Sequence, residues 1–305
     1  MDLPQRIELH AFESLTLSDG AFLRGAAAEG RPALLTAALH LPVGAGPHPL
    51  VVLMHGSGGI GSAVANWTRQ VTALGAASLV MDGFTGRGLT STSTQQALLG
   101  RLNFILDIYR ALEKLAAHPA IDPKRVILLG FSRGGQATLY AALSRFQALW
   151  NRSGITPMAH LAFYPDCSMR FLEETILPPV PVRVFHGLAD DYNPPHTARA
   201  YVERLRAAGV DARFTAYAGG HHGFDNPLSE THQPATGSQS LRDCTIEERA
   251  PGVLINACTG APFSYADACV RTDPHAGGHP AAAAAARRDI GRVLGELLGS
   301  GYGPA

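Results

Sequence analysis

No run of like charge, no CxxC pair and no apolar stretch approaching the ~20 residues that span a bilayer occurs in this sequence. Each absence removes a class of protein. Lysine plus arginine and aspartate plus glutamate number 25 each, for zero formal net charge. Without a basic patch to neutralise phosphates, a nucleic-acid or anionic-membrane partner is disfavoured. Without cysteines at metal-ligand spacing, a structural zinc site is not expected. The opening residues MDLPQRIELHAFESL lack a basic segment followed by an apolar one, so no signal peptide is read there. A cytoplasmic location is therefore expected, with a secreted or periplasmic one holding if a leader was removed. Of the four cysteines, Cys167, Cys244, Cys258 and Cys269, three fall in the last quarter, where free thiols and a disulfide both fit the sequence.

What is present is core-forming. Hydrophobic residues make up 46% of the 305 and charged residues 16%, which favours a folded chain with a sizeable core. Short apolar runs alternate with segments of helical spacing. Strands are read at 6–12, 32–41, 48–56, 78–84, 125–131, 158–165, 181–187 and 212–219. Helices are read at 64–77, 94–119, 133–147, 195–209 and, from an alanine-rich tract, 280–299. The alternation predicts an α/β fold, a mainly parallel sheet with helices on both faces. Residues 1–305 read as one such domain. The Gly-, Pro- and Ser-rich stretch 226–279 reads as a loop-rich excursion, a partial lid, before the final helix.

Polar or glycine-rich stretches follow five of the strands: HGSGG, DGFTGRG, GFSRGG, HGLADDYNP and GGHHGFDNP. Ligands of open α/β sheets bind at the carboxyl ends of strands, so these loops mark a site. Gly130-Phe131-Ser132-Arg133-Gly134 is G-x-S-x-G between a strand and a helix. Side chains two positions either side of the serine would collide in so sharp a turn, and the strained serine is pushed out above the sheet. A serine hydroxyl needs a base, and the base an orienting acid. The acid is Asp190 or Asp191, after the strand at 181–187. The base is His221 or His222, after the last strand. Backbone N–H groups of Arg133 and Ser57 are the candidate oxyanion donors. The loop 56–61 has no P-loop lysine. With Asp82 about twenty-five residues on, it fits a dinucleotide site poorly.

With these residues on the page, the chain resembles the dienelactone hydrolase family of the α/β-hydrolase superfamily from about residue 20 to residue 227. The likeness rests on LMHGSGG, MDGFTGRG, DPKRVILLGFSRGG, FYPDCSM, FHGLADDYNPP and YAGGHHGFDNP. It implies an α/β-hydrolase fold and needs no metal or organic cofactor. It selects Asp190 over Asp191 from G-x-x-D-x-x-x-P, and His222 over His221 as the histidine directly before Gly-Phe. The namesake enzymes carry a cysteine where this chain has Ser132, which favours a broader carboxylic-ester hydrolase over activity on dienelactone. The resemblance also implies that Cys244 and Cys269 can pair. Trp67, Phe84 and Tyr192 are candidates to line a substrate pocket. Arg87, or Arg133, is a candidate to meet a substrate carboxylate. A peptidase, amidase or polymer-ester hydrolase would use the same machinery, and a catalytically silent binding module would share only the fold.

Overall fold

Buried runs and amphipathic segments alternate through the computed structural model, which describes residues 6–299. Residues 1–5, where the reading of the N-terminus began, and 300–305 lie outside the described residues. In chain order the elements are β1 (Arg6–Thr16), α1 (Asp19–Leu23), β2 (Arg31–Leu41), β3 (His48–Met54), α2 (Ser62–Ala73), β4 (Ala77–Asp82), α3 (Asn103–Leu115) and β5 (Ile121–Phe131). There follow α4 (Arg133–Tyr140), α5 (Ser144–Trp150), β6 (Ala159–Phe163), β7 (Met169–Arg170), β8 (Val182–Gly187), α6 (Pro195–Ala207) and β9 (Ala212–Tyr217). Eight of these strands form one sheet in the order β1-β2-β4-β3-β5-β6-β8-β9. The pairs β1–β2 and β2–β4 are antiparallel and the remaining five are parallel. The chain thus has the α/β-hydrolase architecture that its sequence implied.

Side-chain period explains which strands read most clearly. All seven residues of β3 are buried. Leu50, Val52 and Met54 pack on the face covered by α3, α4 and α6, while Val51 and Leu53 pack against α2 and the final helix. In α3, Phe104, Ile105, Leu106, Ile108, Tyr109 and Leu112 are all fully buried. Each contributes about 1.5–3 kcal/mol relative to exposure.

Two expected helices are shorter than their periodicity implied. The segment read as helix from 94 is helical only from Asn103; Gln96–Leu98 is a single 3-10 turn and the rest is loop. Gly100 packs so closely on the Leu17 carbonyl oxygen that a side chain there would clash. The expected helix 133–147 breaks into α4 and α5. The phenol of Tyr109 donates to the Ala141 carbonyl at 2.8 Å, and the Gln147 amide donates to it at 3.2 Å, so that oxygen is taken from the helix ladder.

The excursion after β9 contains β10 (His232–Pro234), β11 (Ile246–Ala250), β12 (Val253–Asn256) and β13 (His275–Gly277), and leads into α7 (Pro280–Leu298). β10 pairs with β13, and β11 pairs with both β12 and β7. Cys244 and Cys269 form the disulfide that the resemblance implied, with Cα atoms 5.0 Å apart across a separation of 25 residues. Cys167 is free and buried; Cys258 is free and exposed. A loop of that length predicts that the Cys244→Ser, Cys269→Ser protein loses roughly 3 kcal/mol of stability. Urea unfolding under non-reducing conditions checks this. An unchanged midpoint would mean that hydrogen bonds alone hold the excursion. No helix among the described residues is long and apolar enough to cross a membrane.

Candidate active site

Parallel order puts the carboxyl ends of β3, β4, β5, β8 and β9 along one edge, and the loops that follow them converge. Ser132, between β5 and α4, has φ 55° and ψ −117°, a conformation side chains rarely adopt. The surroundings enforce it. A side chain at Gly130 would overlap the Gly134 carbonyl oxygen, and one at Gly134 would overlap that of Met54. The hydroxyl is thereby presented above the sheet edge, at the N-terminus of α4.

His222, just past β9, places Nε2 2.9 Å from Ser132 Oγ and Nδ1 2.9 Å from Asp190 Oδ2. The ring is held from two sides. Tyr192 stacks on it at 4.5 Å between centroids, and Tyr164 meets it edge-on at 4.7 Å. Asp190 is fully buried beyond β8. Its Oδ1 accepts the backbone N–H groups of Tyr192 and Asn193, both at 2.9 Å. Its Oδ2 also lies 3.3 Å from Nε2 of buried His186, which donates to the Asn193 carbonyl at 2.8 Å. Burial alone would raise the Asp190 carboxyl. The His222 charge and the hydrogen bonds from His186 and His222 more than offset that, holding it well below the usual carboxylate range.

The neighbours of these two residues point elsewhere. Asp191 accepts the backbone N–H of His275 at 2.8 Å and pairs with its Nδ1 at 2.9 Å. His221 stacks on His232 with ring centroids 3.7 Å apart. Neither is hydrogen-bonded to Ser132 or His222.

Both candidate oxyanion donors border Ser132. The Arg133 N–H is in the first turn of α4 and has no acceptor within the helix. Ser57 belongs to the Gly56-Ser57 peptide, whose carbonyl accepts His55 Nδ1–H at 2.7 Å and Gly59 N–H at 3.1 Å. Those bonds hold the carbonyl at one end of the peptide plane and so orient the Ser57 N–H at the other. Burial keeps His55 neutral, lowering it to about 4, and its Nε2 accepts Gly83 N–H at 3.1 Å, which leaves Nδ1 as the donor. The sequence reading gave His55 no role; its only signal was the His-Gly pair at a strand end.

A cavity of about 260 Å³ opens beside Ser132. Its walls include Val64, Tyr164, Tyr192, Ser238, Ala235 and Ala276, the last three from the excursion, and no Asp, Glu, Lys or Arg side chain lines it among the described residues. Of the sequence candidates for a pocket wall, Tyr192 lines this cavity. Three other candidates do not. Trp67 is fully buried and donates its indole N–H to Asp225 at 2.7 Å. Phe84 packs between His55 and Phe104. All the N–H directions of Arg87 are taken: two to Asp107 at 2.7 and 2.8 Å, the others to Thr16, Gly83 and Leu15. A guanidinium so occupied has nothing left for a substrate carboxylate. The Arg133 side chain is likewise buried, away from the cavity.

One cluster of the described residues, Glu8, His10 and His118, has metal-ligand spacing. It sits at the opposite end of β5 from Ser132. His118 Nδ1 accepts Ala120 N–H at 3.3 Å, so Nε2 carries the proton and donates to Glu8 at 2.9 Å. The polarity is that of a hydrogen-bonded network, whereas a metal would need the Nε2 lone pair.

The model of the dienelactone hydrolase family matches residues 35–246. Similar solved structures include a dienelactone hydrolase-like promiscuous phosphotriesterase from metagenomic libraries, 24% identical, covering 72% of this chain and 86% of that one at a TM-score of 0.55. The protein designated m3DLH is 19% identical over 95% of this chain and 98% of its own, at a TM-score of 0.57. A thermophilic esterase from the planctomycete Thermogutta terrifontis is 20% identical over 63% of this chain and 79% of its own, at a TM-score of 0.50. At these identities the likeness shows the fold. No curated protein matches the chain.

Proposed function

Because the chain belongs to the dienelactone hydrolase family, a hydrolase site is the premise from which we propose that it is a serine esterase, cleaving small, uncharged carboxylic esters through an acyl-enzyme on Ser132. The observation that carries this reading is the unbroken line of hydrogen bonds from Asp190 through His222 to Ser132 Oγ, at 2.9 Å each, on the wall of a cavity. In the proposed cycle His222 Nε2 takes the Ser132 proton as Oγ attacks the ester carbonyl. The N–H groups of Arg133 and Ser57 hold the oxyanion. His222 returns the proton to the departing alcohol, then activates the water that frees the acid. Asp190 keeps the proton of the neutral imidazole on Nδ1 and stabilises the charged form.

The cavity walls support this substrate class. Ser132 stands where the namesakes carry cysteine, and among the described residues no cation on the wall is placed to meet a substrate carboxylate. Both features support uncharged esters. A volume of about 260 Å³ holds a short acyl chain. Longer chains gain none of the ~0.8 kcal/mol per buried CH₂ once they pass the cavity mouth. On p-nitrophenyl esters, kcat/KM is expected to peak between acetate and butyrate and to fall more than about tenfold by decanoate. A rise through decanoate would overturn the size reading. As to compartment, the Cys244–Cys269 bond supports an oxidising one, against the cytoplasmic expectation.

A further inference from the structure

The loop Ser91–Leu99, expected to be helical from residue 94, lies against both oxyanion donors. The Ser57 carbonyl accepts Thr92 N–H at 2.8 Å and Ser91 Oγ–H at 3.0 Å. Ser57 Oγ–H donates to Gln96 Oε1 at 3.1 Å, and Arg133 Nη1 donates to that same oxygen at 3.2 Å. Arg133 also donates to Thr92 Oγ1 at 2.8 Å and to the Leu99 carbonyl. Gln96 is 1% exposed, and its backbone N–H is held by Gln239 Oε1 of the excursion at 2.8 Å. Every acceptor of the Arg133 guanidinium is neutral, and no carboxylate pairs with it among the described residues. The nearby Arg101 has Asp166 at 2.9 Å.

We propose that Gln96 is a positioning residue of the oxyanion hole: its carbonyl oxygen ties Ser57 to the Arg133 guanidinium, fixing the two residues that carry the N–H donors while leaving that guanidinium without a carboxylate partner. The proposal rests on the acyl-transfer reading above. Its logic is in the choice of amide over acid. A glutamate would accept the same two hydrogen bonds, losing only the long 3.5 Å one that the Gln96 Nε2–H donates to the Gln239 carbonyl. It would also cancel the buried positive charge behind the first turn of α4, which favours a developing oxyanion. A purely structural role predicts no loss of activity on that exchange, since a charge-assisted bond to Arg133 is the stronger one.

Gln96→Glu is the test, with p-nitrophenyl acetate as substrate and a trifluoromethyl ketone as the inhibitor whose adduct on Ser132 carries the oxyanion. The expected result is a kcat lower by about 10- to 100-fold, KM within about threefold, and ketone affinity weakened by the same factor as kcat. The melting temperature is expected not to fall. Wild-type kcat and ketone affinity in Gln96→Glu would overturn the proposal, as would a loss of kcat matched by a rise in KM and a fall in melting temperature. Should Gln96→Glu not fold, Gln96→Ala decides by the same ratio. Ketone affinity lost more than about tenfold beyond any change in KM supports the role, and parallel losses overturn it. Fluorophosphonate labelling separates the two readings. An unlabelled wild type fails the esterase proposal itself. A labelled wild type, with Gln96→Glu labelled equally fast, fails only the role of Gln96.

Discussion

Replacing Ser132 by alanine is expected to lower kcat on p-nitrophenyl acetate by on the order of 10³–10⁶-fold and to leave the melting temperature within a few degrees. The two halves of this expectation have separate causes. The activity falls because, among the described residues, Oγ is the only hydroxyl that His222 Nε2 meets, so no acyl-enzyme forms without it. The fold persists because the elbow is held by its backbone: Ser132 N–H donates to the Phe163 carbonyl at 3.0 Å and its carbonyl accepts Gln136 N–H at 2.9 Å. Alanine retains both bonds and the same positive φ. A fluorophosphonate that labels wild type on Ser132 and spares the variant completes the test. An intact wild type that the reagent ignores would favour the binding module instead.

The strand ends and the sharp turn at Ser132 were legible because their signals are local. A strand buried on both faces is a continuous apolar run, as in β3 and in residues 126–131 of β5, and the loops after such runs announce themselves by glycine and polarity. The turn at Ser132 needs glycines at 130 and 134 for a reason that any backbone model reveals. Trp67, Phe84 and Arg87 were not legible, because what disqualifies them is distant. Asp225, Phe104 and Asp107 take up their donors or faces, and no spacing within the chain announces those partners. The same holds for Gln96. Helical periodicity is a statement about neighbours three and four residues away, while Gln96 is placed by Ser57, Arg133 and Gln239. The Cys244–Cys269 bond came from likeness to a family; spacing alone left it undecided.

The choice between two adjacent aspartates makes the second large prediction: Asp190→Asn is expected to cost about 10⁴-fold in kcat, and Asp191→Asn less than about threefold. Asparagine at 190 keeps one oxygen to accept the N–H groups of Tyr192 and Asn193, as Oδ1 does now. Its amide NH₂ must then occupy the place of Oδ2 and face His222 Nδ1. A donor there turns Nδ1 into an acceptor and moves the ring proton to Nε2, which points at Ser132 Oγ. A protonated Nε2 cannot take the serine proton, so the variant folds around an imidazole of the wrong tautomer. The carboxylate of Asp190, held below its usual range, stays ionised throughout the neutral pH window and imposes the productive tautomer there. Asp191 instead holds His275 of β13, and its loss loosens a strap without touching the ring of His222. Steady-state kinetics of the two variants at pH 7–8 decide the matter. If Asp191→Asn proves the more damaging, the acid has been assigned to the wrong side chain and the line of hydrogen bonds to Ser132 does not carry the chemistry.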